Sequence, residues 1–359
     1  MNKNATSSTL PATAAHLVLP EQLAQQAAEA VRELLAEAAA ANTTRSYATA
    51  LRYWAGWHQG RYGIELALPV SEAVVIQFLV DHIQRKGKTA LVSELPPELD
   101  LALVAAGLKA KAGPLKLSTV VQRVAVLSTA HKLKRLTNPC ELPSVRTLLS
   151  RARRASVKRG ERPTKKTAIT RLELESMLAT CDDSLEGLRD RALLCFGFAS
   201  GGRRRSEIAA ADMRDLRKVG DNGYIYRLEY SKTQQAGVKA DSAPDKPILG
   251  RSAQALAAWL AAAGISDGAI FRRIWKGRVG PALLPGSVAA IVKRRARLAG
   301  LVGDFGAHSL RSGFVTEAGK QGVPLPAVMA MTEHRSVASV IGYFQVGAAE
   351  DNPAARLLR

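Results

Sequence analysis

Apolar residues recur at helical spacing along most of the chain and alternate only briefly, which predicts a mainly α protein with a small antiparallel β-sheet. Ala, Glu, Gln and Leu dominate Glu21 to Ala40 and favour helix by composition. Asn42 is placed to cap the next helix, in which Tyr47, Leu51, Trp54 and His58 follow a 4-3-4 spacing that predicts one buried aromatic stripe. Val74 to Ile83 reads as a further helix, and Leu95 to Pro114 as an insertion or a short helix with loops. Ser118 opens a helix whose Val120, Val124, Leu127 and His131 share a face, so His131 is expected to be packed or to contact phosphate.

Pattern also divides the chain. Residues 1–20 are rich in Ser, Thr, Ala and Asn and are expected to be disordered, 21–150 to form a small helical domain, and 151–167 to be a basic linker without hydrophobic periodicity. A second domain is expected over 168–346. It begins at Thr170-Arg-Leu-Glu173, a capping box, and continues in a helix over Ser184 to Ala199 with Leu185, Leu188, Ala192 and Phe196 inward. Tyr224 to Tyr230 alternates as a half-buried strand does, with a return strand around Lys246 to Leu249. The remainder reads as helices over Ser252–Ala262, Ser287–Leu298, His308–Gln321, Leu325–Met331 and Ser336–Phe344, before a polar tail at 347–359.

Length and composition bound the function. At 359 residues, 47% of them hydrophobic, the chain can bury two cores. A formal net charge of +20 points to a polyanionic partner, most readily DNA. From Arg146 to Lys166 there are nine Lys or Arg against the single acid Glu161. Arg151, Arg153, Arg154, Lys158 and Arg159 are therefore candidate DNA contacts, together with Thr44 and Arg45 near the start of the first domain. Cys140, Cys181 and Cys195 are widely spaced and lack a Cys-x-x-Cys pair, as expected of reduced thiols in a cytoplasmic protein with no disulfide framework and no zinc site. No apolar run approaches the roughly 18 residues of a membrane span, and no signal-type core opens the chain.

Candidate chemistry lies in the second half. Tyr343 is the sole tyrosine after Tyr230, and it follows Arg204, Lys232, His308, Arg311 and His334. A phosphodiester resists attack because its anionic oxygens repel the nucleophile and its alkoxide leaves poorly. Arginine forks can bind and neutralise those oxygens, a lysine or histidine can supply the leaving group's proton, and a tyrosine can attack. Neighbouring cations would favour phenolate over the neutral phenol, whose pKa is ordinarily about 10.

These residues resemble the tyrosine recombinase (phage integrase) family from about Asn42 to Phe344. Gly202-Arg203-Arg204-Arg205-Ser206-Glu207 is similar to its Gly-x-Arg-x-Ser-Glu motif, with Arg204 as a phosphate clamp and Glu207 orienting it. Arg203 stands where an apolar residue is more usual. Ser231-Lys232-Thr233 resembles the family's hairpin lysine, and His308-Ser309-Leu310-Arg311 its His-x-x-Arg box. His334 and, nine residues later, Tyr343 complete the set, with Glu333 replacing the usual glycine.

The resemblance implies a helical core-binding domain followed by a recombinase catalytic domain that needs no metal and no cofactor. Tyr343 would attack to form a 3′-phosphotyrosine, with His308 as base and Lys232 as acid. It implies a site-specific recombinase or integrase of a bacterial mobile element. Such an enzyme would act as a homo-tetramer on synapsed double-stranded DNA, pass through a Holliday junction, have no membrane partner and leave room for accessory DNA-bending proteins. The tail at 347–359 would dock on a neighbouring protomer. The alternatives are type IB topoisomerase-like relaxation and a DNA-binding protein without catalysis.

Overall fold

Tyr53, Trp54 and Trp57 are fully buried on one side of the first described helix, α1 (Ala41–Tyr62), and the N-terminal core is built around them. The computed structural model describes residues 41–161, 166–221, 223–228, 244–334 and 336–344. The expected disordered start, the compositional helix over Glu21–Ala40 and the tail at 347–359 lie outside the described residues. Two compact units, Met1–Pro163 and Thr164–Arg359, divide the chain.

In the first unit α1 is joined by α2 (Glu72–His82), a two-residue ladder of β1 (Arg85–Lys86) with β2 (Leu91–Val92), α3 (Pro97–Ala105), α4 (Leu117–Leu133) and α5 (Pro143–Lys158). The buried stripe of α1 is displaced from the one that spacing predicts: Ala50, Tyr53, Trp54, Trp57 and His58 are buried, while Tyr47 and Leu51 are half-buried. Asn42 lies within the helix and does not cap it. Trp54 stacks on Phe78 with ring centroids 3.7 Å apart, which fixes α1 against α2. Polar ends of these rings are satisfied inside: Trp57 Nε1 donates to Asp81 Oδ2 at 2.9 Å and Trp54 Nε1 to the Arg123 carbonyl at 3.0 Å. His131 is a packed residue, accepting from Val70 N–H and donating to the Leu127 carbonyl.

Residues 151–158 are not linker but the second half of α5, with Val145, Ala152 and Ser156 buried. Small and polar residues fill the inward positions, so the helical period is present but not written in large apolar side chains. Arg151, Arg153, Arg154 and Lys158 consequently stand on the exposed side of a regular helix. Arg159 terminates it and is engaged by Glu161, 2.7 Å away.

The second unit contains α6 (Arg171–Ala179), α7 (Leu185–Ala199), the short α8 (Arg205–Ala209), a sheet, and five further helices. The predicted capping box is formed, with Thr170 N–H donating to Glu173 at 2.8 Å, and Ser184 caps α7. The sheet has three antiparallel strands, β3 (Leu216–Val219), β4 (Gly223–Arg227) and β5 (Asp245–Leu249), in that order. The following helices are α9 (Arg251–Ala263), α10 (Pro285–Leu298), α11 (Ala307–Lys320), α12 (Leu325–Thr332) and α13 (Val337–Phe344). A hairpin of β6 (Arg272–Trp275) and β7 (Arg278–Ala282), unpredicted, separates α9 from α10.

α7 runs through the main core beside Trp259 of α9 and Val288 and Val292 of α10. Its Asp190, fully buried, takes Arg189, Arg294 and Arg295 at 2.8, 2.5 and 2.7 Å, tying α7 to α10. A second, smaller core of Val315, Ala318, Val328 and Val340 joins α11, α12 and α13. Among the described residues no helix is long and apolar enough to cross a membrane.

Candidate active site

Two glycines decide how the first arginine motif reaches the rest of the site. Gly201 and Gly202 both have positive φ, 96° and 69°, which favours glycine on backbone grounds alone. Space gives a second reason: a Cβ on Gly201 would stand 2.2 Å from the Met331 carbonyl oxygen, and one on Gly202 would stand 2.4 Å from Arg311 Cα. The loop leaving α7 is thereby pressed against α11 and the end of α12.

Three consecutive arginines then separate by environment. Arg203 is inside, with 1% of its side chain exposed, whereas Arg204 keeps 25% of its side chain exposed. Arg204 caps α8, and both its backbone N–H and its Nη1 are held by the buried carboxylate of Glu207, at 3.1 and 2.5 Å. Glu207 is thus placed to orient Arg204. Arg205 is exposed.

The His-x-x-Arg box occupies the first turn of α11. Segment 166–170 braces that turn: Thr167 N–H donates to the Asp304 carbonyl at 3.1 Å and Ile169 N–H to the Ser309 carbonyl at 3.0 Å. His308 reaches solvent, whereas Arg311 is buried and donates from Nη1 to the Gly202 carbonyl at 3.3 Å and from Nη2 to the Thr332 carbonyl.

His334 follows the left-handed residue that ends α12. That residue is Glu333, at φ 57°, where the family motif has glycine, and the conformation costs a side-chain-bearing residue about 1–3 kcal/mol. Its carboxylate turns inward to Lys246 of β5, 3.3 Å away. Thr332 meanwhile sets the ring of His334. Its hydroxyl donates to the Val328 carbonyl at 2.8 Å, and a hydroxyl has one proton, so at 2.7 Å it accepts from His334 Nδ1–H. In the neutral ring Nε2 then carries the lone pair.

Electrostatics join these groups. Partial burial, then the guanidiniums of Arg311 and Arg204, lower the pKa of His308. Burial and the same two arginines, with His308 and Arg203 behind them, push His334 down to about 4. Both rings are neutral at pH 7 in the absence of a bound anion. Arg204, Glu207, His308, Arg311 and His334 are thus brought together from three separate parts of the fold. Tyr343 lies on α13, whose Val340, one turn earlier, is fully buried against α11 and α12; the Tyr343 side chain lies outside what is described. Lys232, in the connection between β4 and β5, lies outside the described residues.

Sequence reasoning missed Lys246. It is fully buried, and burial lowers its pKa. A signal existed, since Lys246 is in phase with the inward Ile248 of an alternating strand, and an ammonium there demands a partner.

Comparison with known proteins agrees in one direction. The phage integrase family model matches residues 167–350. An integrase/recombinase XerD homolog from Selenomonas ruminantium is 34% identical over 248 residues, covering 65% of this chain and 69% of its own. Among solved structures, the Tn1549 transposon integrase in complex with transposon right-end DNA has a TM-score of 0.56 at 15% identity, covering 92% of this chain and 96% of that one. A lambda integrase dimer bound to a COC′ core site has a TM-score of 0.54 at 16% identity, covering 88% and 93%. These two structures are similar in fold.

Proposed function

Because this chain belongs to the phage integrase family, whose members cut and rejoin DNA, we propose that it is a site-specific recombinase working through a 3′-phosphotyrosine on Tyr343. The observation that carries the reading is the convergence of Arg204, His308, Arg311 and His334 from three elements, with Tyr343 on the helix packed against two of them. Tyr343 Oη forms a bond to phosphorus as the bond from phosphorus to the 5′ oxygen breaks. His308, neutral at pH 7, takes the phenolic proton. Lys232 gives a proton to the departing 5′ oxygen, and Arg204 and Arg311 neutralise the charge that builds on the non-bridging oxygens. Religation is the reverse, with a 5′ hydroxyl of the partner strand attacking the phosphotyrosine. The phosphodiester energy is kept in the covalent bond throughout, so neither ATP nor a further cofactor enters the balance.

A complete exchange needs two DNA duplexes and four protomers, with a Holliday junction between the two rounds of cleavage. The exposed cations of α5, with Thr44 and Arg45 exposed on α1, are the candidate backbone contacts of the first unit. We place the protein with recombinases of bacterial mobile elements.

A DNA substrate with sulfur at the bridging 5′ position tests the assignment of the acid, because that leaving group departs without a proton. It should restore cleavage by Lys232→Ala and leave Arg311→Ala defective. Losing a charge-stabilising donor costs about 10²–10³ in rate. Equal rescue of both variants, or of neither, contradicts the role of Lys232.

A further inference from the structure

The last carbonyls of α12 are met by three cations from three different places. Lys246 Nζ of β5 donates to the Ala330 carbonyl at 2.7 Å, Arg203 Nη2 to the Met331 carbonyl, and Arg311 Nη2 to the Thr332 carbonyl. A helix C-terminus concentrates unpaired carbonyls and partial negative charge, so cations are its natural partners. Here three buried cations meet three successive carbonyls of an eight-residue helix. The next residue is Glu333, bent back onto Lys246, and the one after it is His334.

Building on the recombinase reading, we propose that Lys246 and Glu333 are paired positioning residues. They clamp the end of α12 to β5 so that His334 and Arg311 keep their relative places. Three observations carry this. Glu333 holds a left-handed conformation that glycine would hold without a partner. Its carboxylate is buried 3.3 Å from the Lys246 ammonium with neither oxygen hydrogen-bonded, so removing either residue alone upsets the charge balance of a buried pair. And Thr332, at the centre of the clamp, gives its carbonyl to Arg311 and its hydroxyl to His334, so a displacement of the turn moves both.

The charge pair and a glycine are then alternative solutions to one turn. Lys246→Met and Glu333→Gly should each slow single-turnover DNA cleavage at saturating DNA by about 10–100-fold, as a displacement near 1 Å does. DNA affinity should change by no more than about threefold in each. Combining K246M with E333G removes both charges together and should restore the rate to within about threefold of wild type. Imidazole resonances of His334, recorded without DNA, should shift in each single variant and return in the double. If K246M does not fold, the double variant still should, and it should cleave. Single variants that cleave at the wild-type rate, or a double variant that fails to fold or stays as slow as the singles, overturn the proposal. Wild-type protein run alongside reports separately on the parent reading: failure to form an adduct counts against the recombinase, while the His334 resonances still decide the clamp.

Discussion

At the level of single residues, the two histidines of the candidate site share one pair of neighbouring arginines. Burial, Arg311 and Arg204 lower both pKa values, His334 to about 4, so between that value and pH 6.5 the protein holds the His334 ring neutral where a free imidazole would charge. A phosphate seated among the same cations favours the charged rings, so binding DNA at pH 6 should take up protons. Calorimetry in two buffers of different ionisation enthalpy should report net uptake, reduced in His334→Gln; zero uptake or release would contradict the arrangement. For folding, the unfolded chain binds protons over the same interval that the folded one refuses, so the contribution to stability is complete above pH 6.5 and lost as pH falls toward 4. His82, also lowered to about 4 by burial, adds to that loss from the first unit.

At the level of elements, Val340 is the one buried side chain among the described residues of α13. It packs into the small core with Val315, Ala318 and Val328, and Tyr343 follows one turn later. Val340→Ala removes two methyl groups from that seat and should weaken the docking of α13 by about 1–3 kcal/mol. DNA binding should persist while single-turnover cleavage falls; unchanged cleavage would mean that α13 is held elsewhere. The helices were legible in sequence wherever a large apolar stripe marks the inward side, as in α4, where Val120, Val124, Leu127 and His131 are all buried. α5 escaped because Ala152 and Ser156 line its inner side, and β3 because Leu216-Arg-Lys-Val219 is short and largely exposed. The β6–β7 hairpin escaped because its Trp275 faces solvent and Arg272-Arg-Ile-Trp275 does not alternate charged with apolar residues. The chemistry of the site was legible in part: Arg204, His308, Arg311 and His334 announce themselves by residue type and spacing. Arg203 does not, because what it meets is the Met331 carbonyl at the end of α12, and a carbonyl leaves no mark in a sequence.

At the level of the whole molecule, a net charge of +20 sets the strength of DNA binding, and α5 is the place to vary it. Replacing Arg153, Arg154 and Lys158 by Gln should weaken binding alike on any DNA sequence. It should also flatten the salt dependence by about 0.9 per lost phosphate contact, hence by about 3 if all three touch the backbone. An unchanged salt slope would make α5 a solvated helix and no more. One covalent bond, between Tyr343 and DNA, decides whether this protein is a recombinase, and it can be trapped. Incubating the protein with a pool of nicked duplexes lets the cleaved strand diffuse away. The expected product is a denaturation-resistant protein–DNA adduct, joined through a 3′-phosphate to the peptide containing Tyr343 on mass analysis and absent in Tyr343→Phe although that variant still binds DNA. An adduct on another residue, or one that survives Tyr343→Phe, would contradict it.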